Sequence, residues 1–241
     1  MANKQKKAWA VIARRELSAY FSSPMAYIVG GLFLIASGFF FFSAFFIQRR
    51  AELRDFFELL PILYTFFIPA LSMRIFSEEK KSGTLETLVT LPVTSSAIIL
   101  GKYVAILISS IVMIAPTVFY VITTCIFGSP DLGPIIGGYA GAVLLAAAFC
   151  AIGLFASSVT KNQIIAFFIT LAVCAFLSLI NIFAIFIPGS LVQLLTFLCA
   201  TSHFTSISRG IIDSRDVIYF ASIAAIFLAL TVRTVKNSKR G

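Results

Sequence analysis

Residues 25–47, MAYIVGGLFLIASGFFFFSAFFI, form a run of 23 residues without a charged side chain. An α-helix needs about 20 mainly apolar residues to cross the hydrocarbon core of a bilayer. The run therefore predicts a transmembrane helix. It is also too long for the apolar core of a signal peptide, so we expect it to remain in the protein as an anchor.

Five further apolar blocks follow, which predicts an all-α integral membrane protein with six transmembrane helices. The chain is 59% hydrophobic and 12% charged, whereas an average soluble domain is roughly 45–50% apolar and about 25% charged. The third block is 30 residues long and contains Pro116, which predicts that it tilts, kinks or extends beyond the bilayer. The six blocks are 25–47, 56–76, 98–127, 136–159, 164–187 and 217–235.

The distribution of lysine and arginine predicts the orientation of the chain. Most of these residues lie before the first block, after the second and fourth blocks, and after the sixth. Because basic loops stay on the cytoplasmic side, both termini are expected there. The net charge of +9 does not indicate nucleic acid binding, because the basic residues flank the apolar blocks instead of forming one compact surface. This distribution suits contact with anionic membrane lipid.

The segment before the first block, residues 1–24, predicts an amphipathic connecting helix. Apolar residues recur at helical spacing between positions 7 and 21, and the basic residues fall elsewhere on the helix. Ser22, Ser23 and Pro24 then end it. Two roles stay open, namely anchoring in the cytoplasmic interface and packing against a cytoplasmic partner. The residues expected to matter are Trp9, Arg14, Arg15 and Tyr20.

The connection between the fifth and sixth blocks, residues 188–215, predicts a hairpin on the outer side. Its first half is apolar but has too few residues to cross the bilayer, which favours a re-entrant or interfacial helical hairpin. His203 is the only histidine of the chain, and a structural role is expected for it. The hairpin residues singled out are His203, Phe204, Arg209 and Gly210.

The sequence offers no catalytic constellation, so we expect no enzymatic activity and no bound cofactor or metal in this chain. A single histidine excludes a histidine-rich metal site. The phosphate-binding pattern G-x-x-x-x-G-K-[ST] is absent, so ATP would have to be hydrolysed by another chain. Carboxylates avoid the centres of the blocks, which disfavours an ion-coupled transporter. Four widely separated cysteines are expected to be small core residues.

The cytoplasmic loop 77–102 carries the most informative pattern. Charged residues lead to Gly83, which can break a helix leaving the membrane. Thr84 is a plausible N-cap, Glu86 would lie in the first turn, and Pro92 would end the new helix. Leucines would line one face. Such a helix could dip into the headgroups, or it could seat in a groove of a soluble partner.

The loop resembles the coupling helix of type-2 ABC exporter permeases. The strings concerned are Gly83-Thr84-Leu85-Glu86, residues 91–94 (LPVT) and Gly101-Lys102. Within that family the chain is similar to gliding-motility-associated ABC transporter permease subunits. That closer resemblance lies in residues 21–27 (FSSPMAY), 73–81 (MRIFSEEKK) and 203–219.

The resemblance implies a half-transporter of the bacterial cytoplasmic (inner) membrane. Its six-helix domain would cover 25–235, followed by a cytoplasmic tail at 236–241. It would form a homodimer, or a heterodimer with a second permease subunit, on two cytosolic ABC ATPase subunits that hold ATP and Mg. Glu78 and Glu79 would approach basic residues of the ATPase, and Leu85 and Leu88 would fill its groove. The coupling residues implied are Glu78, Glu79, Lys80, Gly83, Thr84, Leu85, Glu86, Leu88 and Pro92.

The function implied is outward transport of a substrate, driven by ATP hydrolysed in the partner. An alternative is a mechanotransmitting or motility-associated subunit, which would pass ATP-driven motion to an outer-envelope partner without moving cargo. The sequence carries no recognisable code for a substrate.

Overall fold

The computed structural model describes residues 2–48, 52–84, 93–128, 130–183, 195–211 and 213–237, and the labelled elements in these ranges are all helical. The helices are α1 (Ala2–Phe21), α2 (Pro24–Gln48), α3 (Arg54–Ser72), α4 (Arg74–Ser82), α5 (Ser95–Ile114), α6 (Val118–Phe127), α7 (Leu132–Val159), α8 (Gln163–Phe183), α9 (Ala200–Ser208) and α10 (Ser214–Asn237).

Six helical segments within these ranges are long and apolar enough to cross a membrane, which confirms the predicted number. Two of them combine two helices. α3 and α4 together form Arg54–Ser82, and α5 and α6 together form Ser95–Phe127. The second segment extends beyond the predicted end at residue 76, because the charged residues 78–81 are good helix formers and continue the helix to Ser82.

The third segment is interrupted at Pro116, where a kink was one of the predicted alternatives. A 3₁₀ turn, Ala115–Thr117, separates α5 from α6. Proline has no N–H and its ring clashes with the preceding turn, so it interrupts the α-helical hydrogen-bond ladder. The Thr117 hydroxyl donates to the carbonyl oxygen of Ile114 at 2.7 Å and lies 3.0 Å from the hydroxyl of Tyr139. The turn is therefore held to α7.

The central element is α7, which packs against α3, α4, α5, α8, α9 and α10. It is buried along most of its length, whereas α2 leaves many large apolar side chains exposed. Alanine and glycine dominate the sequence of α7, and small residues let neighbouring helices approach closely in membrane proteins. The bundle is therefore assembled around α7.

Two ends of the bundle can be distinguished. The α1 face carries α1, α4, the start of α5 and the end of α7. The α9 face carries α9 with the starts of α3, α7 and α10. The predicted outer hairpin lies only partly within the described residues, since 188–194 and 212 fall outside them. Its described part includes α9 and Gly210, whose φ of 85° requires the left-handed conformation that glycine adopts readily.

A helix, α1, lies at the segment for which an amphipathic helix was predicted, and it begins at Ala2 and not near residue 7. It packs against α5. A Cβ atom placed on Gly101 would lie 2.7 Å from the carbonyl oxygen of Trp9 and 2.9 Å from the Cβ of Ile12. Glycine at position 101 therefore allows α1 to cross α5 in contact with its backbone.

One prediction about the cysteines is wrong. Cys150, Cys174 and Cys199 are buried as expected, but Cys125 is exposed. It lies on α6, which turns only Tyr120 and Thr124 into the bundle. Successive residues of a helix are separated by about 100°, so Cys125 points away from the buried side.

Substitution of Gly137 by alanine is expected to destabilise the bundle by about 1–3 kcal/mol, the usual cost of overpacking. The added Cβ would lie 2.3 Å from the carbonyl oxygen of Ile207, which belongs to the backbone of α9. Thermal unfolding of the purified protein in detergent measures the effect. Gly133→Ala is the matched control, because its Cβ would meet nothing within 4 Å. Equal unfolding temperatures for the two variants would contradict this close contact.

Candidate functional site

A buried lysine joins three helices at the α1 face. Lys102 lies in the second turn of α5 and its side chain is 0% exposed. Its ammonium donates to Glu16 Oε1 at 3.0 Å, to Glu79 Oε1 at 2.8 Å and to the carbonyl oxygen of Ile75 at 3.2 Å. It also lies 5.1 Å from the centre of the Phe76 ring. All three donors of the ammonium are therefore used. These groups are called the Lys102 cluster below.

The Lys102 cluster connects the helices on both sides of residues 85–92. α4 ends at Ser82, followed by Gly83 with a φ of 74°, which confirms the predicted helix break at that glycine. α5 begins at Ser95. The bond from Lys102 to Glu79 joins these two helices, and the bond to Glu16 adds α1. One cation thus faces two carboxylates, and Glu79 Oε2 is buried without a hydrogen bond among the described residues.

The structure places the predicted coupling residues in different surroundings. Glu78 is half exposed and pairs with Arg74 at 2.9 Å. Glu79 turns inward to Lys102, and Lys80 donates to the carbonyl oxygen of Ser158 at the end of α7. The Thr84 hydroxyl lies 2.8 Å from that of Ser82. Leu85, Glu86, Leu88 and Pro92 lie outside the described residues.

The residues singled out on α1 lie on two of its sides. Arg14 and Arg15 are exposed, and Trp9 is 40% exposed. Tyr20 is partly buried, and this burial raises the pKa of its phenol to about 12, although the nearby Arg74 cation opposes the shift. The phenol therefore stays neutral at physiological pH. The basic side of α1 remains free while its apolar side covers α5.

A comparison with known protein families shows the family of this chain. The model of the family described as "ABC-2 family transporter protein" matches residues 10–235. This range contains the second half of α1, the Lys102 cluster, the first five membrane segments and all but the last two residues of the sixth. The chain belongs to the ABC-2 family of transporter proteins. No curated protein matches it at a significant level.

Membership of the ABC-2 family confirms the coarser part of the sequence-based interpretation. Members of this family are membrane transport subunits that are not themselves catalytic, and they work with ABC ATPase subunits. Together with the six apolar segments, the family makes this chain an integral membrane protein. Among the residues that the structure describes, no group of three or more His, Cys, Asp or Glu side chains could hold a metal ion.

At the α9 face of this ABC-2 chain, His203 forms a buried pair that the sequence did not predict. Its Nδ1 lies 2.6 Å from Asp216 Oδ1, and its Nε2 lies 2.8 Å from the carbonyl oxygen of Phe197. A carbonyl can only accept, so Nε2 carries a hydrogen and donates it. The ring stacks on Tyr219 with 4.1 Å between centres. His203 thus ties α9 to α10, in keeping with a structural role.

The remaining hairpin residues pack on α7 or border a cavity. Phe204 is fully buried, and a Cβ on Gly141 would lie 3.2 Å from its ring. Arg209 is exposed and lines a cavity of about 510 Å³ between α9 and the starts of α3 and α7. Glu52 and Asp131 also line this cavity, which therefore contains charges of both signs.

Proposed function

We propose that this ABC-2 chain is the permease subunit of an ATP-driven exporter, and that residues 85–92 are the coupling helix that contacts a cytosolic ATPase. The observation that carries this proposal is the Lys102 cluster. It joins α1 to the two helices that flank residues 85–92. A force applied to that segment would then move three helices together.

The energetics of the cluster support a mechanical role. Its charges are largely removed from water, since Glu16 and Glu79 side chains are 18% and 16% exposed. Breaking a buried ion pair leaves an uncompensated charge, which costs about 3–5 kcal/mol. The three helices therefore resist separation. The Arg74–Glu78 pair is more exposed and is worth less than about 1 kcal/mol, so Glu78 can exchange partners when an ATPase docks.

The proposal also includes the orientation of the chain in the membrane and the subunit composition of the transporter. In this proposal both termini, α1 and residues 85–92 lie on the cytoplasmic side of a bacterial inner membrane, and the positions of the basic residues support that orientation. Arg14 and Arg15 then face the headgroups or the ATPase, and α1 lies at the interface. The subunit acts as a dimer, with itself or with a second permease, on two ATPase subunits that bind ATP and Mg. We also propose that, within its family, the chain is most similar to gliding-motility-associated permease subunits.

The alternative is a subunit that transmits motion to an envelope partner without moving cargo. The observation that favours it is the 510 Å³ cavity at the α9 face, where Glu52, Asp131 and Arg209 could receive a charged segment of such a partner. Purification of the complex from native membranes, followed by mass spectrometry, separates the two functions. An envelope protein bound in stoichiometric amounts supports the alternative, and a wide lined lumen between the permease subunits argues against it.

The coupling role is tested by the double substitution Leu85→Ala and Glu86→Ala. The complex is purified from native membranes together with its ATPase. We expect the double variant to retain much less ATPase than the parent protein does. We also expect the membrane subunit to lose its effect on the rate of ATP hydrolysis. Loss of an apolar anchor at an interface centre costs about 2 kcal/mol or more, a reduction in affinity of over tenfold. Leu132→Ala with Asp55→Ala, both exposed at the α9 face, is the control. Unchanged ATPase retention and hydrolysis in the test variant would refute the coupling role.

A further inference from the structure

The junction between α3 and α4 is completed by a side chain from another helix. In an uninterrupted helix, the N–H groups of Phe76 and Ser77 would donate to carbonyl groups four residues earlier. Here both donate to the hydroxyl oxygen of Ser157, at 3.0 and 3.1 Å, and that hydroxyl donates to the carbonyl oxygen of Met73 at 3.0 Å. Ser157 belongs to α7. A hydroxyl inserted into a backbone ladder is a recognised cause of a helix break.

Two further contacts hold α4 and the end of α3 to the last turns of α7. A Cβ on Gly153 would lie 2.0 Å from the Ser72 hydroxyl, so only glycine allows this approach. Lys80 donates to the carbonyl oxygen of Ser158. A cation at the end of a helix interacts favourably with its unpaired carbonyl groups and its dipole. The junction is therefore attached to α7 on both sides of the break.

The opposite end of α7 carries α9. Its 28 residues span about 42 Å at 1.5 Å per residue, which is enough to connect the two faces of the bundle. A Cβ on Gly137 would clash with the backbone of Ile207, and one on Gly141 would lie 3.2 Å from Phe204. No proline interrupts α7 after its first turn. A displacement of its end near Ser157 would therefore reach α9.

We propose that Ser157 is a positioning residue that passes the motion of α4 to α7, and that α7 carries this motion as one body to α9. The inference rests on the proposed function, because it requires that a bound ATPase moves α4. It adds the route by which the nucleotide bound to the ATPase affects the position of α9.

The test compares Ser157→Ala with Ser158→Ala in the complex with the native ATPase. Ser158 is the matched control, because it is equally buried but its hydroxyl donates to Phe155 of its own helix at 2.7 Å. Both variants carry Ile211→Cys as a reporter, since Ile211 is 65% exposed beside α9. They also carry Cys125→Ser, which removes the exposed native thiol. The rate of labelling by a membrane-impermeant maleimide is measured with ADP and with a non-hydrolysable ATP analogue.

We expect the labelling rate in the Ser158→Ala complex to change between the two nucleotides. In the Ser157→Ala complex this change should shrink by about fivefold or more, a loss at the lower end of usual allosteric couplings, while the ATPase stays bound and hydrolyses ATP. A merely structural defect would lower the unfolding temperature without this selective loss. An equal nucleotide response in both complexes would overturn the proposal, and so would a parent complex without any response.

A second variant keeps the test decisive if Ser157→Ala does not fold. Lys80→Met removes the contact with the carbonyl oxygen of Ser158 and leaves the Ser157 hydroxyl in place. A reduced nucleotide response with the ATPase retained supports the inference, whereas an undiminished response contradicts it. Failure of the proposed function gives a different result. In that case the parent protein retains no ATPase, or the double variant Leu85→Ala and Glu86→Ala retains and affects the ATPase as the parent does.

Discussion

Replacement of Lys102 by methionine is expected to lower the free energy of unfolding by about 3–5 kcal/mol, because a buried ion pair loses one partner. The ammonium is fully buried and bonds to Glu16 on α1 and Glu79 on α4. Without it, two carboxylates at the α1 face repel each other in surroundings with little water. Thermal unfolding in detergent and the yield of monodisperse protein measure this loss.

Two comparisons isolate the charge effect at Lys102. Lys161→Met removes an exposed lysine at the same face and should leave stability within about 0.5 kcal/mol of the parent. Lys102→Met combined with Glu16→Gln and Glu79→Gln removes all three charges and should recover part of the loss, since neutral replacement of a buried ionic cluster is often tolerated. If Lys102→Met unfolds at the same temperature as Lys161→Met, the cluster does not hold the three helices together.

Asp216→Leu is expected to destabilise the junction of α9 and α10 by about 1–3 kcal/mol, the cost of a buried polar group left without its hydrogen bond. The substitution removes the carboxylate bonded to His203, whose other nitrogen already donates to the carbonyl oxygen of Phe197. Asp216→Asn is expected to cost only about 1 kcal/mol, because its amide can still donate to Nδ1. The difference between the two variants therefore reports the hydrogen bond.

Limited proteolysis and thermal unfolding together measure the effect at Asp216. Loosening of α9 should expose cleavage sites around Arg209 and Arg215 in the leucine variant before the rest of the protein unfolds. Asp55→Leu provides the control, since Asp55 is an exposed acidic residue at the same face. Identical cleavage rates for the leucine and asparagine variants at position 216 would show that the pair with His203 does not fasten α9.

The membrane-spanning helices could be predicted from the sequence because the bilayer imposes their length and apolarity. Helix α1 was equally predictable, since its apolar residues recur at helical spacing. Gly83 identified the end of α4 because few other residues adopt a positive φ easily. The end of the second segment was misplaced, because charged residues that leave the bilayer can remain helical.

The contacts of the candidate site could not be predicted in the same way. Lys102 is separated from Glu16 by 86 positions and from Glu79 by 23, and hydropathy contains no information about such pairing. One signal was available, since a lysine inside an apolar block requires a buried partner. The hydroxyl of Ser157 gave no signal at all, because serines in membrane helices usually bond to their own backbone.

The central position of α7 limits where a cargo could travel. In the described part of the bundle, the centre is occupied by a helix that its neighbours bury along most of its length, so a single copy has little room there for an aqueous bore. A solute crossing the bilayer would have to pass along the outside of the subunit, where two copies meet or where protein meets acyl chains. The selectivity of such transport would then be determined by surfaces that an isolated copy exposes to lipid.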